Sequence, residues 1–314
     1  MILFLLRRLV NFLVTLFAVS IIVFAAMNVL PGDPALTILG LDATEDALEA
    51  LRQRLGLNEP LTKRYFLWIG NALTGNFGIS HSFSVPVSEL IIERLPLTVS
   101  LAISGMTCTV ILAFVLGVFA AANHKRYGDW GVMVISQLGI ALPAFWLSIL
   151  LVLLFAVKLR WLPPGGFPGW ENPTDAIRSL ILPTLALSLV QSAVLARVTR
   201  SSMLEVMRQD YIRTARASGF HRSRILWRHT LPNALIPIVT IIGMQFAALV
   251  TGTIVIENVF YLPGLGKLIF QSISNRDLPT VQALVMLFAA IVIIANFIVD
   301  ITYSVIDPRL KDRA

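Results

Sequence analysis

Six long apolar runs separated by polar stretches set the pattern of this chain. They cover residues 9–30, 98–122, 132–157, 180–196, 234–256 and 281–306. An α-helix rises 1.5 Å per residue, so about 20 apolar residues cross ~30 Å of hydrocarbon. The pattern therefore predicts an all-α polytopic membrane protein with six transmembrane helices. The fourth run is the shortest. Only the sixth holds a charge, Asp300, near its end. Pro143, Pro183 and Pro237 lie inside runs, where prolines mark kinks and neighbouring helices satisfy the freed carbonyls. The first run follows Arg7 and Arg8, as the core of a signal peptide would. It is too long for one, and its Pro31-Gly32-Asp33-Pro34 exit is not a small-x-small cleavage site, so a retained span is expected. The further spans also argue against a twin-arginine export signal.

Residues 31–96 form the longest polar stretch. Thr44-Glu45-Asp46 opens a helical pattern with Leu48, Leu51 and Leu55 on one face, and Gly56 ends it. A second helix is expected from Leu61 to about Leu73, carrying Tyr65, Phe66 and Trp68. Gly75-Asn76-Phe77-Gly78 reads as a turn. The stretch predicts a small helical cap on the bundle. It is either a docking surface for an extracytoplasmic partner or a lid that fills space. The chain then divides into an N-terminal span (1–30), this cap (31–96) and a core (97–314).

Residues 197–233 hold eight arginines, two acids and two histidines. A basic fringe beside lipid headgroups explains part of that charge. The organisation goes further. Residues 201–217 have helix-forming composition, with Met203, Met207, Tyr211 and Ala215 at i, i+4 spacing. Gly219 is placed to end that helix with a positive φ. A short helix over 223–230 should stop before Leu231-Pro232, because proline disfavours helix at the preceding residue. Helix, glycine, short helix, proline and span make an elbow suited to passing force between a soluble partner and the spans.

Composition narrows the class. The chain is 56% apolar and 14% charged, with mean hydropathy +0.79. Soluble domains are about 25% charged, so a soluble enzyme, a disordered chain and a collagen-like repeat are excluded. The net charge of +7 suggests nucleic acid at first. With the N-terminus inside, however, the inner segments carry +10, the outer ones −2, and Asp300 lies between. That is the positive-inside pattern, and it places both termini in the cytoplasm. The single cysteine, Cys108, permits no intrachain disulfide and reads as a packing residue. His81, His124, His221 and His229 are scattered without metal-ligand spacing, so no metal site is expected.

The basic stretch resembles the EAA-loop of ABC importer permeases, which reads roughly E-A-A, three residues, G, nine residues, I, one residue, L-P. Here Arg213-Thr214-Ala215 holds the E-A-A place, Gly219 the G place, His229 the I place and Leu231-Pro232 the last. The form Asp210-Tyr211-Ile212-Arg213-Thr214-Ala215-Arg216-Ala217-Ser218-Gly219 resembles the peptide/nickel/glutathione branch, the oligopeptide-type, binding-protein-dependent permeases. The likeness extends along the chain. Leu30-Pro31-Gly32-Asp33-Pro34-Ala35, Leu142-Pro143-Ala144-Phe145-Trp146 and Trp161-Leu162-Pro163-Pro164-Gly165-Gly166 are similar to that branch. So are Glu257-Asn258-Val259-Phe260, Pro263-Gly264-Leu265-Gly266 and Asp307-Pro308-Arg309. Ser218 departs from a common Lys, and Asn58 and Asn76 from common Asp.

The resemblance implies a non-catalytic permease subunit in a bacterial inner membrane. It implies four kinds of partner: a second related permease, two cytoplasmic ATPase subunits that bind ATP and Mg, an extracytoplasmic solute-binding protein, and lipid. Tyr211, Arg213, Thr214, Ala215, Arg216, Gly219, His229, Leu231 and Pro232 fall on the loop that docks into the ATPase. The chain carries no G-x-x-x-x-G-K-[ST]. The nearest string, Gly264-Leu265-Gly266-Lys267, lacks the first glycine and the Ser/Thr. ATP energy must therefore be borrowed, and no cofactor is expected on this chain. Gln137, Gln191 and Gln245 are candidates for the pathway wall or for interhelical hydrogen bonds, and Glu257 for an outer gate, a partner contact or an interfacial cap. Asp300 is expected to pair with an inner arginine, with a proton relay as the alternative. An ion-coupled secondary transporter would favour paired buried charges and an inverted repeat. The spans hold one carboxylate and no repeat. Di- or oligopeptides are the expected cargo, with glutathione and nickel complexes as alternatives.

Overall fold

The computed structural model describes residues 2–29, 34–40, 43–54 and 56–306. Within them the chain forms α1 (Ile2–Val29), α2 (Pro34–Leu39), α3 (Glu45–Arg54), α4 (Leu61–Leu73), α5 (Val87–Ala122), α6 (Tyr127–Ala141) and α7 (Ala144–Leu151). There follow α8 (Pro173–Val206), α9 (Asp210–Ala217), α10 (Arg222–Arg224), α11 (Leu231–Val259), α12 (Leu265–Ser274) and α13 (Leu278–Ile306). Two π-helical segments, Val152–Lys158 and Ile225–Thr230, continue α7 and join α10 to α11. Leu30, Pro31, Gly32, Asp33, Leu55 and the Asp307-Pro308-Arg309 motif lie outside the described residues, as does the side chain of Asp300.

Five helices among the described residues are long and apolar enough to cross a membrane, six if one bent pair is counted as a span. The expected third span is the bent one. α6 and the helix beginning at Ala144 meet at 106°. Leu142 and Pro143 are both extended there. Proline lacks an N–H and pushes the residue before it out of the helical region, so two residues leave the helix together. Pro96, Pro183 and Pro237 stay inside continuous helices. The second span begins earlier in the chain, at Val87, and the short fourth run is the middle of the 34-residue α8. Polar flanks at both ends of α8 hid its length.

α5, α8 and α11 form the centre. Leu101, Leu182, Leu187, Leu249 and Ile256 are buried together near one end of the bundle, and Ala113, Leu195, Met203 and Ile238 near the other. Small residues set the spacing. A Cβ on Gly117 would sit 2.6 Å from the Thr199 Cβ, so α5 and α8 touch backbone to side chain here. A Cβ on Gly243 would overlap Val299 of α13. A Gly117→Val substitution must push α5 from α8 and is expected to destabilise the chain by about 1–3 kcal/mol. Thermal unfolding of the detergent-purified protein measures this.

The cap helices appear where the pattern places them. Glu45 and Asp46 stand in the first turn of α3 and Arg52 and Arg54 in its last, which suits the helix dipole. Gly56, Gly75 and Gly78 all have positive φ. α4 lies along α1. The Tyr65 hydroxyl meets the Ser20 hydroxyl at 2.7 Å in a buried contact, and Phe24 packs edge-on against Tyr65 at 5.4 Å and beside Trp68 at 5.9 Å.

Candidate functional site

The arginine-rich stretch folds as an elbow at one end of the bundle. The expected single helix over 201–217 is two helices. α8 runs to Val206, a turn follows, and Asp210 starts α9. The Met203-Met207-Tyr211-Ala215 spacing is therefore not one face: Met203 and Ala215 are buried, but Tyr211 is 47% exposed. The break falls between the second and third members of that series and turns the later ones through a new axis.

α9 is short and strongly two-sided. Ile212 and Ala215 are buried against Ile225 and the partly buried Val206, which ties together the end of α8, α9 and the leaving arm. Tyr211, Arg213, Thr214 and Arg216 face outward. Asp210 opens the helix and Arg216 stands in its last turn, both complementing the dipole. Arg213 makes one exposed contact to Asp210 at 3.3 Å.

Gly219 ends α9 with φ +78°. Its N–H donates to the Arg216 carbonyl at 3.0 Å, and the Phe220 N–H donates to the Ala215 carbonyl at 3.2 Å. These are the two bonds of a Schellman motif. A Cβ at Gly219 would meet nothing within 4 Å, so glycine is needed for its backbone angle and not for space. His221 then caps the next helix, its Nδ1 accepting from the Ser223 N–H at 3.3 Å.

The leaving arm departs from expectation. No break occurs at Leu231-Pro232, and helix runs from Arg222 to Val259. The π-helical turn explains this. The Leu231 N–H bonds the Leu226 carbonyl five residues back. The widened turn accommodates a proline ring that would crowd an α-helical carbonyl four residues before it. The Asn233 side-chain amide donates to the His229 carbonyl at 2.7 Å, replacing part of the disturbed ladder. His229 stacks on Phe220 with ring centres 5.6 Å apart, and the Arg224 guanidinium lies 4.9 Å from the Phe220 ring. Leu231 is half-buried and Pro232 exposed. Tyr211, Arg213, Thr214 and Arg216 share one helix. Gly219, His229, Leu231 and Pro232 set the hinge and arm that carry it.

Two features here escaped the sequence reading. The Arg224-Phe220-His229 stack needs the hinge to fold before its members meet. The Asp129–Arg200 pair joins residues on α6 and α8, and no local pattern signals it. Arg200 Nε and Nη2 donate to the two Asp129 oxygens, the second at 2.7 Å.

The candidate pathway residues separate. The Gln245 amide on α11 donates to the Gln191 carbonyl on α8 at 3.1 Å, and its own buried carbonyl oxygen has no partner. Gln137 lies on the exposed face of α6. Glu257 lies twelve residues beyond Gln245, about 18 Å along the helix. Its side chain is fully buried. One oxygen accepts from the Thr98 hydroxyl at 2.7 Å; the other accepts from the N–H of Gly266 at 2.7 Å and of Lys267 at 3.1 Å. Thr98 in turn accepts from the Leu265 N–H at 2.9 Å. Glu257 and Thr98 thus take up the free N–H groups that open α12. A Cβ on Gly264 would overlap the Glu257 carboxylate, which accounts for glycine beside it. The Glu257-Asn258 and Gly264-Leu265-Gly266 motifs are therefore two halves of one corner.

A helical bundle of five to six spans, carrying an amphipathic helix on a glycine hinge at its basic end, defines a polytopic membrane protein. The chain belongs to the family of binding-protein-dependent transport system inner membrane components, which it matches over residues 113–312. Residues 1–102 match the N-terminal part described for membrane components of the same systems. It is thus a multi-pass inner-membrane permease of the ABC importer type. A Brucella abortus (strain 2308) protein named "Putative peptide transport system permease protein" is 42% identical over 307 residues, covering 98% of each chain. The glutathione transport system permease protein GsiC of Escherichia coli (strain K12) is 41% identical over 308 residues, again covering 98% of each. Among solved structures, the inward-facing MetNI methionine ABC transporter shares the fold with a TM-score of 0.58 at 18% identity, over 69% of this chain and 96% of that one. An amino acid ABC transporter has a TM-score of 0.53 at 14% identity, over 69% and 94%.

Proposed function

We propose that this permease forms, with a second related permease, the pathway by which an ATP-driven importer brings di- or oligopeptides into the cell. The observation that carries the coupling part is α9. Its buried Ile212 and Ala215 fix it to the bundle, and its exposed Tyr211, Arg213, Thr214 and Arg216 leave a polar face open to a soluble partner. In this reading an ATPase subunit, holding ATP and Mg, receives that face on the cytoplasmic side. The charge asymmetry of the sequence supports the same orientation, with both termini cytoplasmic. Closure of the ATPase pair displaces α9, and the continuous helix from Arg222 to Val259 carries the displacement into the membrane without a joint at Pro232. The equilibrium between inward- and outward-open states shifts accordingly.

Residues 31–96 serve the extracytoplasmic binding protein in this scheme. A cleft of about 560 Å³ between α1, α4 and the start of α13, with Arg64, Trp68 and His81 on its wall, supports a receiving surface over a simple filler. Peptide is favoured as cargo because a relative named for peptide transport is 42% identical over 98% of each chain. Glutathione is the second reading, on the 41% identity to GsiC.

The test is reconstitution of this chain with its partner permease, two ATPase subunits and binding protein in proteoliposomes. Uptake of a labelled di- or tripeptide should require ATP hydrolysis and binding protein. Uptake by the purified chain alone, driven by an ion gradient, would contradict the proposal. Calorimetry of the binding protein against peptides, glutathione and nickel chelates assigns the cargo, and binding of glutathione alone would replace the peptide reading.

A further inference from the structure

The turn between α5 and α6 spans only Asn123 to Arg126, and both arms of the elbow bond to the helix ends that flank it. From the entering arm, Arg200 forks onto both oxygens of Asp129. Arg200 lies six residues before the end of α8, about 9 Å along the axis. The same carboxylate accepts from the Lys125 N–H at 3.0 Å and lies 3.2 Å from His124 Nδ1. Lys125 has φ +65°, a left-handed angle that this bond helps hold. From the leaving arm, the Arg222 guanidinium donates to the Ala122 carbonyl. That carbonyl is in the last turn of α5, where acceptors lack helical partners and a cation is favoured.

A near-buried ion pair is a weak source of stability, since apolar residues of the same volume often do as well. What a forked pair supplies is register. With Gly117 packed on Thr199 a few residues away, it fixes α5, the turn, α6 and the end of α8 as one body. Arg222 then ties that body to the arm beyond Gly219.

We propose that this turn is a second transmission point of the permease, and that Asp129, Arg200 and Arg222 are positioning residues that pass movement of the elbow to α5 and α6, and so to the 106° bend in the third span. The proposal rests on the reading of α9 as the ATPase-contacting helix. In that scheme α11 is one lever and the clamped turn is another.

The complete importer in proteoliposomes tests it, with uptake per ATP hydrolysed as the readout that a merely structural role would not move. Arg222 is exposed, so Arg222→Gln is expected to fold and assemble. Arg222→Gln and Asp129→Asn should hydrolyse ATP within about twofold of the parent while uptake per ATP falls about fivefold or more, and the exchange Asp129→Arg with Arg200→Asp should regain at least about half of it. Spin labels at the exposed positions Tyr127 and Trp227, in a Cys108→Ala background, should keep their separation within about 4 Å when ATP is added. Unchanged uptake per ATP in both single variants overturns the proposal, as does a larger ATP-driven change between the labels. Should Asp129→Asn fail to assemble, Arg222→Gln and the label distance decide. If Gly219→Pro leaves coupling intact, the ATPase reading of α9 fails. If Gly219→Pro uncouples while these variants stay silent, only the present proposal fails.

Discussion

Gly219→Pro is expected to abolish ATP-coupled uptake while leaving the bundle folded. Proline fixes φ near −65°, and the hinge holds +78°. Proline also removes the N–H that bonds the Arg216 carbonyl. Both Schellman bonds go, and the local cost is about 3 kcal/mol or more. α9 has little to set against that. It is held by a small cluster of Ile212, Ala215 and Ile225, so it is a low-stability unit that opens without the whole chain. The larger clusters of α5, α8 and α11 include no residue of α9. The expected result is normal insertion, a melting midpoint close to the parent's, loss of ATPase co-purification, and loss of ATP-coupled uptake. Gly219→Ala should be milder, since the left-handed angle costs a Cβ-bearing residue about 1–2 kcal/mol and no neighbour obstructs it. Parental uptake and assembly in Gly219→Pro would remove the coupling role assigned to the elbow.

Glu257→Ala is expected to be the most destabilising single truncation considered. The carboxylate accepts three hydrogen bonds in a fully buried corner. Its loss strands two backbone N–H groups and the Thr98 hydroxyl, each worth about 1–3 kcal/mol when buried without a partner. A total of about 4 kcal/mol is expected, visible as a lowered melting temperature of the purified protein. Glu257→Gln keeps the shape but turns an N–H₂ toward donors, so it should lose about half as much. This separates anchor from gate. If Glu257→Gln melts with the parent but fails in uptake, the carboxylate acts in transport and the α12 corner is not its task.

The periodicity of the chain reported spans well because lipid leaves one solution for an apolar run of 20 residues: a helix that satisfies its own backbone. The cap helices α3 and α4 were equally legible. Acid at one end, base at the other and a glycine stop are local signals, and local rules decide short exposed helices. Gly219 was legible for the same reason, since the left-handed angle is a property of one residue. Proline was the harder case. Pro143 breaks its helix and Pro232 does not, although both follow leucine. A widened turn absorbs the ring at Pro232, whereas Pro96 and Pro183, which also follow leucine, stay helical without one, so the outcome is set by the surrounding helix packing and nothing in the dipeptide states it.

The candidate site divides along the same line. The polar face of α9 follows from the order of residues once the helix start is known. That start, at Asp210 rather than Ser201, depends on where α8 stops packing. The partners of Glu257 and Asp129 come from far along the chain: Thr98 lies 159 residues from Glu257 and Arg200 lies 71 from Asp129. A carboxylate in an apolar or basic stretch shows only that something must satisfy it. Which group does so is set when helices pack.

The sequence by itself determined the membrane class, the number of spans, the charge asymmetry and the hinge glycine. Each is a sum over local terms, in hydropathy, charge or backbone angle, that survive any arrangement of the helices. Only the tertiary structure decided that the third span bends at 106°, that Glu257 anchors α12, and that both arms of the elbow grip the helix ends beside one turn. Those outcomes depend on which helices touch, and a contact between distant residues has no signature in either residue alone.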